Sequence, residues 1–587
     1  MPPKLSLNPI AIYIYHVAIV YTNFMNIDAK TTPSKKHPKG LYLLFFTEMW
    51  ERFGYYLLLG ILVLYMTDNK KGGLNIGEGS ANDIYGTFLA LVYLTPFLGG
   101  LLADRIFGYR RTIVVGGALM AAGYLTLAIP GEQAFYLGLL FIIIGNGLFK
   151  PNISTLLGNL YNRPEYKHLK DKGYNIFYMG INLGAFVCNF VAAYMRNSYG
   201  WGWAFGAAGV GMIVGLIIFM YGSNASQELG EADVRKSVSK EDVPLSQIFT
   251  TMFLPAILFA VVGAYAGQIF GVKSIFGTTS NDVFLFACVP VISFFLLTYL
   301  KASKEDKAPL GSLLYIYAVV IIFWAIFHQN GNVLTSWAEE NTFRAMPQET
   351  AKMMNENGLG AFVEKVTSDS IYVPKKVHDK LVINGKDTVK VGVIATYLKT
   401  LPKDQHPKKG EQLNLVNTEL FQSINPFFVV LLTPLIIAFF SLLSRNKMEP
   451  STPAKIAWGL LITGLSTLVM VLAVSASGNG ANKVSYWWLI GTYMVITTGE
   501  LFLSPMGLSL VSKLSPARLT AMMMGGWFLS TSIGNKLSGV LGHIGADSAN
   551  KSIVFWINFS GAMLSAVLLF LFVKQISKVL HDKTGAH

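Results

Sequence analysis

The sequence predicts an all-α polytopic membrane protein, and three observations carry that reading. Only 14% of the 587 residues are charged, against about 25% in a soluble globular domain. Hydrophobic residues make up 52% of the chain, and mean hydropathy is +0.45. The apolar residues fall into runs of roughly 20, the length at which a helix crosses a bilayer core about 30 Å thick. A soluble chain of this length would divide into several domains, each with a charged surface. Too few charges are present for that.

Taken in order, residues 1–38 read as a leader. Its apolar stretch Pro9 to Val20 has no small-residue cleavage site, so it is not a signal peptide. Met25 opens a short polar, basic segment and is the expected start of translation, which would make 1–24 non-native. Hydropathy then places spans near 39–66, 82–103, 111–130, 134–161, 173–196 and 201–221, a first group of six over 39–221. The linker 222–308 holds two more, near 247–270 and 282–300. Six further spans follow within 309–578, near 309–337, 418–444, 453–475, 484–512, 517–545 and 551–577, with a tail at 579–587. This six, two, six order gives fourteen spans. One loop is out of scale: 339–417 is polar. It carries Ile383-Asn384-Gly385 between alternating apolar residues, a hairpin signal, and reads as a small, partly ordered lobe outside the cell.

The net charge is +14, from 47 Lys+Arg against 33 Asp+Glu. The basic pairs and runs (Arg110-Arg111, Lys167 to Lys172, Arg445 to Lys447, Lys574 to Lys583) sit between apolar stretches. That is the positive-inside pattern; it puts both termini in the cytoplasm and argues against a nucleic-acid partner. Cys188 and Cys288 lie far apart in apolar segments, so neither a metal site nor a disulfide framework is expected. No nucleophile–base constellation, metal spacing or nucleotide loop suggests an enzyme.

Charge inside a span is costly, and each instance is a functional candidate. In the first span Glu48, Glu51, Arg52, Tyr55 and Tyr56 share one helix face at about 100° per residue. Two carboxylates one turn from a guanidinium can exchange partners: protonating one loosens its hold on Arg52, which can then grip an anion. In the fourth span Lys150 is the one charge, preceded by Gly145 and Gly147 and followed by Pro151. Those residues are expected to open the backbone there, as in the broken helices of transporters. The fifth span carries Tyr178 and Asn182 one turn apart. The tenth of the twelve main spans carries Glu500 and Ser504, with Lys150 as the expected cross-bundle partner of Glu500.

These segments together resemble the proton-dependent oligopeptide transporter (POT, or PTR) family of the major facilitator superfamily. ExxERFxYY matches at Glu48, Glu51, Arg52, Phe53, Tyr55 and Tyr56. Gly100, Asp104, Arg105 and Gly108 match the superfamily's GxLaDrxG motif. GNGLFKPN matches at Lys150, and FYMGINLG at Phe177, Tyr178, Asn182 and Gly184. NPFF at Asn425, GELFLSPMGL at Glu500 and MMMGGWFLSTSIGN at Trp527 complete seven motifs in order across all twelve main spans. The resemblance implies the major facilitator fold: two six-helix bundles, with the pair at 247–300 similar to the extra helices of bacterial members.

The family also implies roles. Arg52, Lys150 and Tyr56 would hold the peptide carboxylate; Glu500, Asn182 and Asn425 the amino terminus; Tyr55, Tyr93, Tyr178, Trp324, Trp527 and Ser504 the side-chain pockets. Glu48 and Glu51 would carry the coupling proton, with Arg52 as the partner that protonation frees, and no other cofactor. This division suits a zwitterion, which needs opposite charges at its two ends. The chain departs from the pattern in two places. Many members pair an acidic residue in helix 7 with an Arg in helix 1 as an external gate. Here those positions are His328 and Leu59. Losing both together is coherent, since one alone would be a buried unpaired charge. His328 is either a second proton site or a neutral hydrogen-bonding residue. Mammalian members carry a helix 2 histidine where this chain has Gly86.

The expected function is proton-coupled symport of di- and tripeptides by alternating access, by a protein acting as a monomer in the plasma (bacterial inner) membrane. Lys150 and Glu500 would pair across the bundles in the empty, inward-closed state, and the two ends of the substrate would compete for them. The alternatives are transport of nitrate or another small anion, drug/proton antiport, and, from another class, a receptor that uses the external lobe.

Overall fold

The computed structural model describes residues 36–68, 72–233, 244–368, 371–516 and 519–584, apart from 375, 378–379, 382, 385–386, 389 and 394. The suggested start at Met25 and most of the leader lie outside the described residues. Long helices occupy all fourteen places where hydropathy puts a span. In the first group these are α1 (Lys39–Thr67), α2 (Glu78–Leu102), α3 (Tyr109–Leu127), α4 (Glu132–Leu160), α5 (Lys170–Tyr199) and α6 (Trp201–Ala225). In the linker α7 (Leu254–Ile269) and α8 (Thr279–Leu300) follow. The last group is α9 (Lys304–Phe327), α10 (Ile424–Arg445), α11 (Thr452–Ala476), α12 (Trp487–Leu514), α13 (Thr520–Asp547) and α14 (Ile553–Thr584). Among the described residues, 11 helices are long and apolar enough to cross a membrane. The other three, α1, α3 and α13, are those carrying Glu48, Glu51 and Arg52, the Arg110-Arg111 pair, and the polar run around Lys536.

Apolar packing forms two main cores. One joins α1 to α6, from Leu41 to Ala232. The other joins α9 with α11 to α14 and takes in Met252, Val291 and Phe295 from the linker segment. The outward surfaces of α7, α8 and α10 remain apolar and exposed, as at Leu258, Leu297 and Leu435. Cys188 and Cys288 are free and buried.

The expected break in the fourth span does not occur: α4 is continuous through Gly145, Gly147 and Pro151. Its glycines serve close packing instead. A Cβ at Gly145 would stand 2.6 Å from the Gly116 carbonyl oxygen of α3, and one at Gly147 would stand 2.6 Å from Thr95 Cβ of α2. The missing side chains let three helices pack backbone to backbone. The interruption lies in α9, which gives way at His328–Gly331 to a tight 3₁₀ turn before helix resumes at Val333–Glu340.

The bundles meet closely at the end that carries the 341–417 segment, called here the lobe end. There α2 crosses α13 with Gly86 on Gly539: a Cβ at Gly86 would lie 2.6 Å from Gly539 Cα. One turn away, the buried Lys536 ammonium of α13 donates to Asp83 Oδ1 (2.7 Å) and Thr87 Oγ1 (2.6 Å) of α2, and to Ser280 Oγ (2.8 Å) of α8.

The lobe is built of short antiparallel strand pairs. Val363–Val366 pairs with Leu413–Val416, and Ile371–Pro374 with Lys390–Val393. A separate small core gathers Val366, Tyr397, Leu398 and Leu415. The expected hairpin is present, with Ile383 opposite Thr388 and Asn384 opposite Asp387. Its connecting residues are therefore 385 and 386, outside the described residues.

Candidate functional site

The charged face of α1 forms as its spacing dictates. Arg52 Nε lies 3.0 Å from Glu48 Oε1 and also donates to Glu51 Oε2. All three residues are at most 3% exposed. The guanidinium stacks over Tyr55, with Cζ 5.1 Å from the ring centroid. Glu48 Oε2 and Arg52 Nη2 are buried without hydrogen-bond partners, so the cluster has capacity to take a proton and an anion. Asn146 of α4 donates to Glu51 Oε1 at 3.4 Å. The Asn146 contact joins residues on different helices, and no spacing within either helix signals it.

Lys150 projects from α4 with its Nζ 3.9 Å from the Tyr93 ring centroid, a cation–π distance. Glu51 and Arg52 lie within its electrostatic reach. Lys150 and Arg52 are the cations of the first bundle's site; Arg52 is engaged by two carboxylates, so the cluster becomes a positive pole when one of them is protonated. Tyr93 also meets the edge of His328, with centroids 5.5 Å apart. His328 packs on Trp324 at 5.6 Å, and its Nδ1 lies 3.2 Å from the Trp324 carbonyl. Trp324 in turn meets Trp527 at 6.3 Å. Of the aromatic residues expected in the pockets, Tyr93, Trp324 and Trp527 thus form one chain of ring contacts through His328, from Lys150 across to the second bundle. Trp324 and Trp527 are buried within it. Tyr55 packs instead on Tyr56, with centroids 5.4 Å apart.

The negative pole lies on the second bundle. Asn425 Nδ2 of α10 donates to Glu500 Oε2 at 3.1 Å and to Thr497 Oγ1 at 2.8 Å, both on α12. Tyr56 of α1 and Tyr178 of α5 lie within electrostatic reach of Glu500, and Tyr178 is 41% exposed. Asn182 does not join Glu500; its amide donates to the Tyr178 carbonyl at 2.9 Å. Ser504 is half-buried one turn beyond Glu500. Lys150 and Glu500 do not pair here, where the bundles are closed at the lobe end; the expected pair belongs to the opposite, inward-closed state. Lys150 is held on Tyr93 and Glu500 on Asn425, because each finds a polar or aromatic neighbour on its own side. Tyr56 lies between the two poles, within electrostatic reach of both Arg52 and Glu500.

At Leu59 and His328 the departure is visible in three dimensions. Leu59 is buried in the first core, and α1 packs against the 328–331 turn. An apolar residue and an aromatic-caged histidine fill the place of an ion pair. Two buried charges that the reading of the spans passes over, Lys536 and Arg196, both pair across the bundles. The rule that a charge in a span marks function finds Lys536 without any fold.

A family model described as the POT family matches residues 110–352 and 410–557. The chain is similar to an uncharacterized transporter of Bacillus subtilis, YclF, at 31% identity, covering 92% of this chain and 96% of that protein. It is 27% identical to a di-/tripeptide transporter of Lactococcus lactis, with 93% and 97% covered. A crystal structure of the peptide transporter POT in complex with sulfate superposes with a TM-score of 0.70 at 30% identity, covering 94% of this chain and 98% of that one.

Proposed function

Because this chain belongs to the POT family, we propose that it imports di- and tripeptides by proton-coupled symport. The observation that carries this is the pair of opposed poles: Arg52 with Lys150 on one bundle, Glu500 with Asn425 on the other. A free peptide is a zwitterion whose ends match them. Glu500 has no task in transport of nitrate or another simple anion, and a cationic drug has none for Arg52 and Lys150. The name of the Lactococcus relative supports the same substrate class.

In this reading the substrate carboxylate meets Lys150 and Tyr56, and Arg52 once a proton on Glu48 or Glu51 loosens it. The amine takes Glu500, with Asn425 and Asn182 beside it. Side chains rest among Tyr55, Tyr93, Tyr178, Trp324, Trp527 and Ser504, on aromatic surfaces that tolerate many shapes. The proton is the coupling ion, and the protein works as a monomer in the bacterial inner membrane. Both termini lie in the cytoplasm and the lobe outside. The end-to-end alternation of the helices supports that orientation, since it puts Arg110, Lys170 and Arg445 opposite the lobe.

Counterflow in liposomes tests the substrate class. Labelled dialanine should exchange, unlabelled di- and tripeptides should compete, and nitrate and cationic dyes should not. Lys150→Ala should abolish the exchange. Competition by nitrate alone would overturn the reading.

A further inference from the structure

With Leu59 and His328 in place of an ion pair, closure at the lobe end must be held by other groups. One candidate is built from both bundles and the lobe. Arg196 of α5 belongs to the first bundle and is 6% exposed. Its Nε lies 3.1 Å from Glu419 Oε1, in the turn before α10. Its Nη2 donates to Asn417 Oδ1 at 2.9 Å and lies 4.0 Å from Glu364 Oε2 of the lobe. The same Glu364 oxygen accepts from Arg344 Nη1 at 3.0 Å, and Arg344 Nη2 reaches Glu339 at 2.9 Å. Neighbouring Asn197 donates to the lobe carbonyl of Ala361 at 2.9 Å. The Tyr194 and Phe362 rings meet at 5.9 Å.

So the lobe is strapped to α5 although it is inserted in the other half of the chain. Two guanidinium groups share three carboxylates, and only Arg196 comes from the first bundle. Any motion that parts the bundles at this end must pull Arg196 from its partners. A buried guanidinium leaves an ion pair at tolerable cost only where water can replace the partners. A cavity of about 410 Å³ adjoins it, lined by Arg196, Glu364, Glu339, Asp68, Glu78 and Lys399.

We propose that Arg196 and the lobe carboxylate Glu364, together with Glu419, form the lobe-end gate of the transport cycle, and that the lobe leaves α5 each time the central site opens toward it. This rests on the alternating-access reading above.

The test uses the full-length protein in liposomes, with Cys188 and Cys288 replaced by alanine. A reporter cysteine at Ser423 is labelled by a membrane-impermeant maleimide, because Ser423 is buried where it bonds Asn189 across the bundles. Arg196→Gln, Glu364→Gln and Glu419→Gln should each raise the labelling rate about fivefold or more. Lys352→Gln, on the exposed lobe helix, should leave it unchanged. In the opposite direction, Asn197→Cys with Ala361→Cys should, when oxidised, lower labelling below the parent and stop turnover, with recovery on reduction. Unchanged labelling in all three charge variants, or full turnover of the oxidised pair, would overturn the proposal. If peptide transport itself is the error, dialanine uptake is absent from the parent while the labelling pattern persists.

Discussion

Asn425 donates to Glu500 across 3.1 Å and to Thr497 across 2.8 Å, tying α10 to α12 beneath the negative pole. A hydrogen bond to a charged group contributes about 1.5–3 kcal/mol, a factor of roughly ten to one hundred. Asn425→Leu should therefore raise KM for dialanine by about tenfold or more. It should also shrink the preference for free over N-acetylated dipeptides, measured by competition. An unchanged preference would remove Asn425 from amine recognition.

The empty gate position gives a double-mutant prediction. Leu59 is 8% exposed and His328 7% exposed. Leu59→Arg alone buries an unpaired charge, and should destabilise the protein by about 3 kcal/mol or more. Adding His328→Glu should recover much of that loss in detergent melts. Additive losses would mean that the two positions do not face each other.

The Gly86–Gly539 crossing sets a steric limit. A Cβ at Gly86 would press on backbone at 2.6 Å and 2.8 Å, and backbone cannot swing aside as a side-chain end can. Gly86→Ala should hinder closure of the lobe end and raise maleimide access to the site from that side. It should slow uptake while leaving peptide binding within a few-fold. This packing also explains why a histidine has no room there.

Lys483 lies between α11 and α12, outside the spans. It donates to the Glu340 carbonyl at 2.7 Å and sits 3.7 Å over the Tyr397 ring. Burial, opposed by nearby Glu339 and Glu340 and aided by Arg344, holds its pKa down to about 7. An unfolded lysine titrates near 10.4. Between those values the unfolded chain binds more protons than the native one, so stability rises with pH through that window. Below pH 7 the penalty of the buried charge is fully present. The melting temperature of wild type minus that of Lys483→Met should increase from pH 7 to pH 9. A flat difference would contradict this.

Local spacing makes part of the site legible from sequence. Glu48 and Arg52 are one turn apart on one helix, and they meet as their spacing requires. Most of the helices, too, follow from apolar run length; α1, α3 and α13 fall short of it through their charged and polar residues. Contacts between distant segments are another matter: Asn146 with Glu51, Lys536 with Asp83 and Arg196 with Glu364 depend on which helices become neighbours. Glycine is ambiguous for a different reason. The same missing side chain permits a broken backbone or a tight crossing, and in α4 the crossing prevails because α2 and α3 press against it. The interruption at His328–Gly331 contains the buried Gln329 and Asn330. Gln329 finds its partner in Asn558 of α14, far along the chain.

Uptake of labelled dialanine into liposomes with an imposed inward proton gradient tests the coupling claim most directly, with wild type and Glu51→Gln measured together. Wild type should accumulate the peptide above the external concentration and lose that accumulation with a protonophore. Glu51→Gln should keep exchange at equal concentrations but fail to accumulate. Wild-type uptake that is the same with and without the gradient would contradict proton coupling at the Glu48–Glu51–Arg52 cluster.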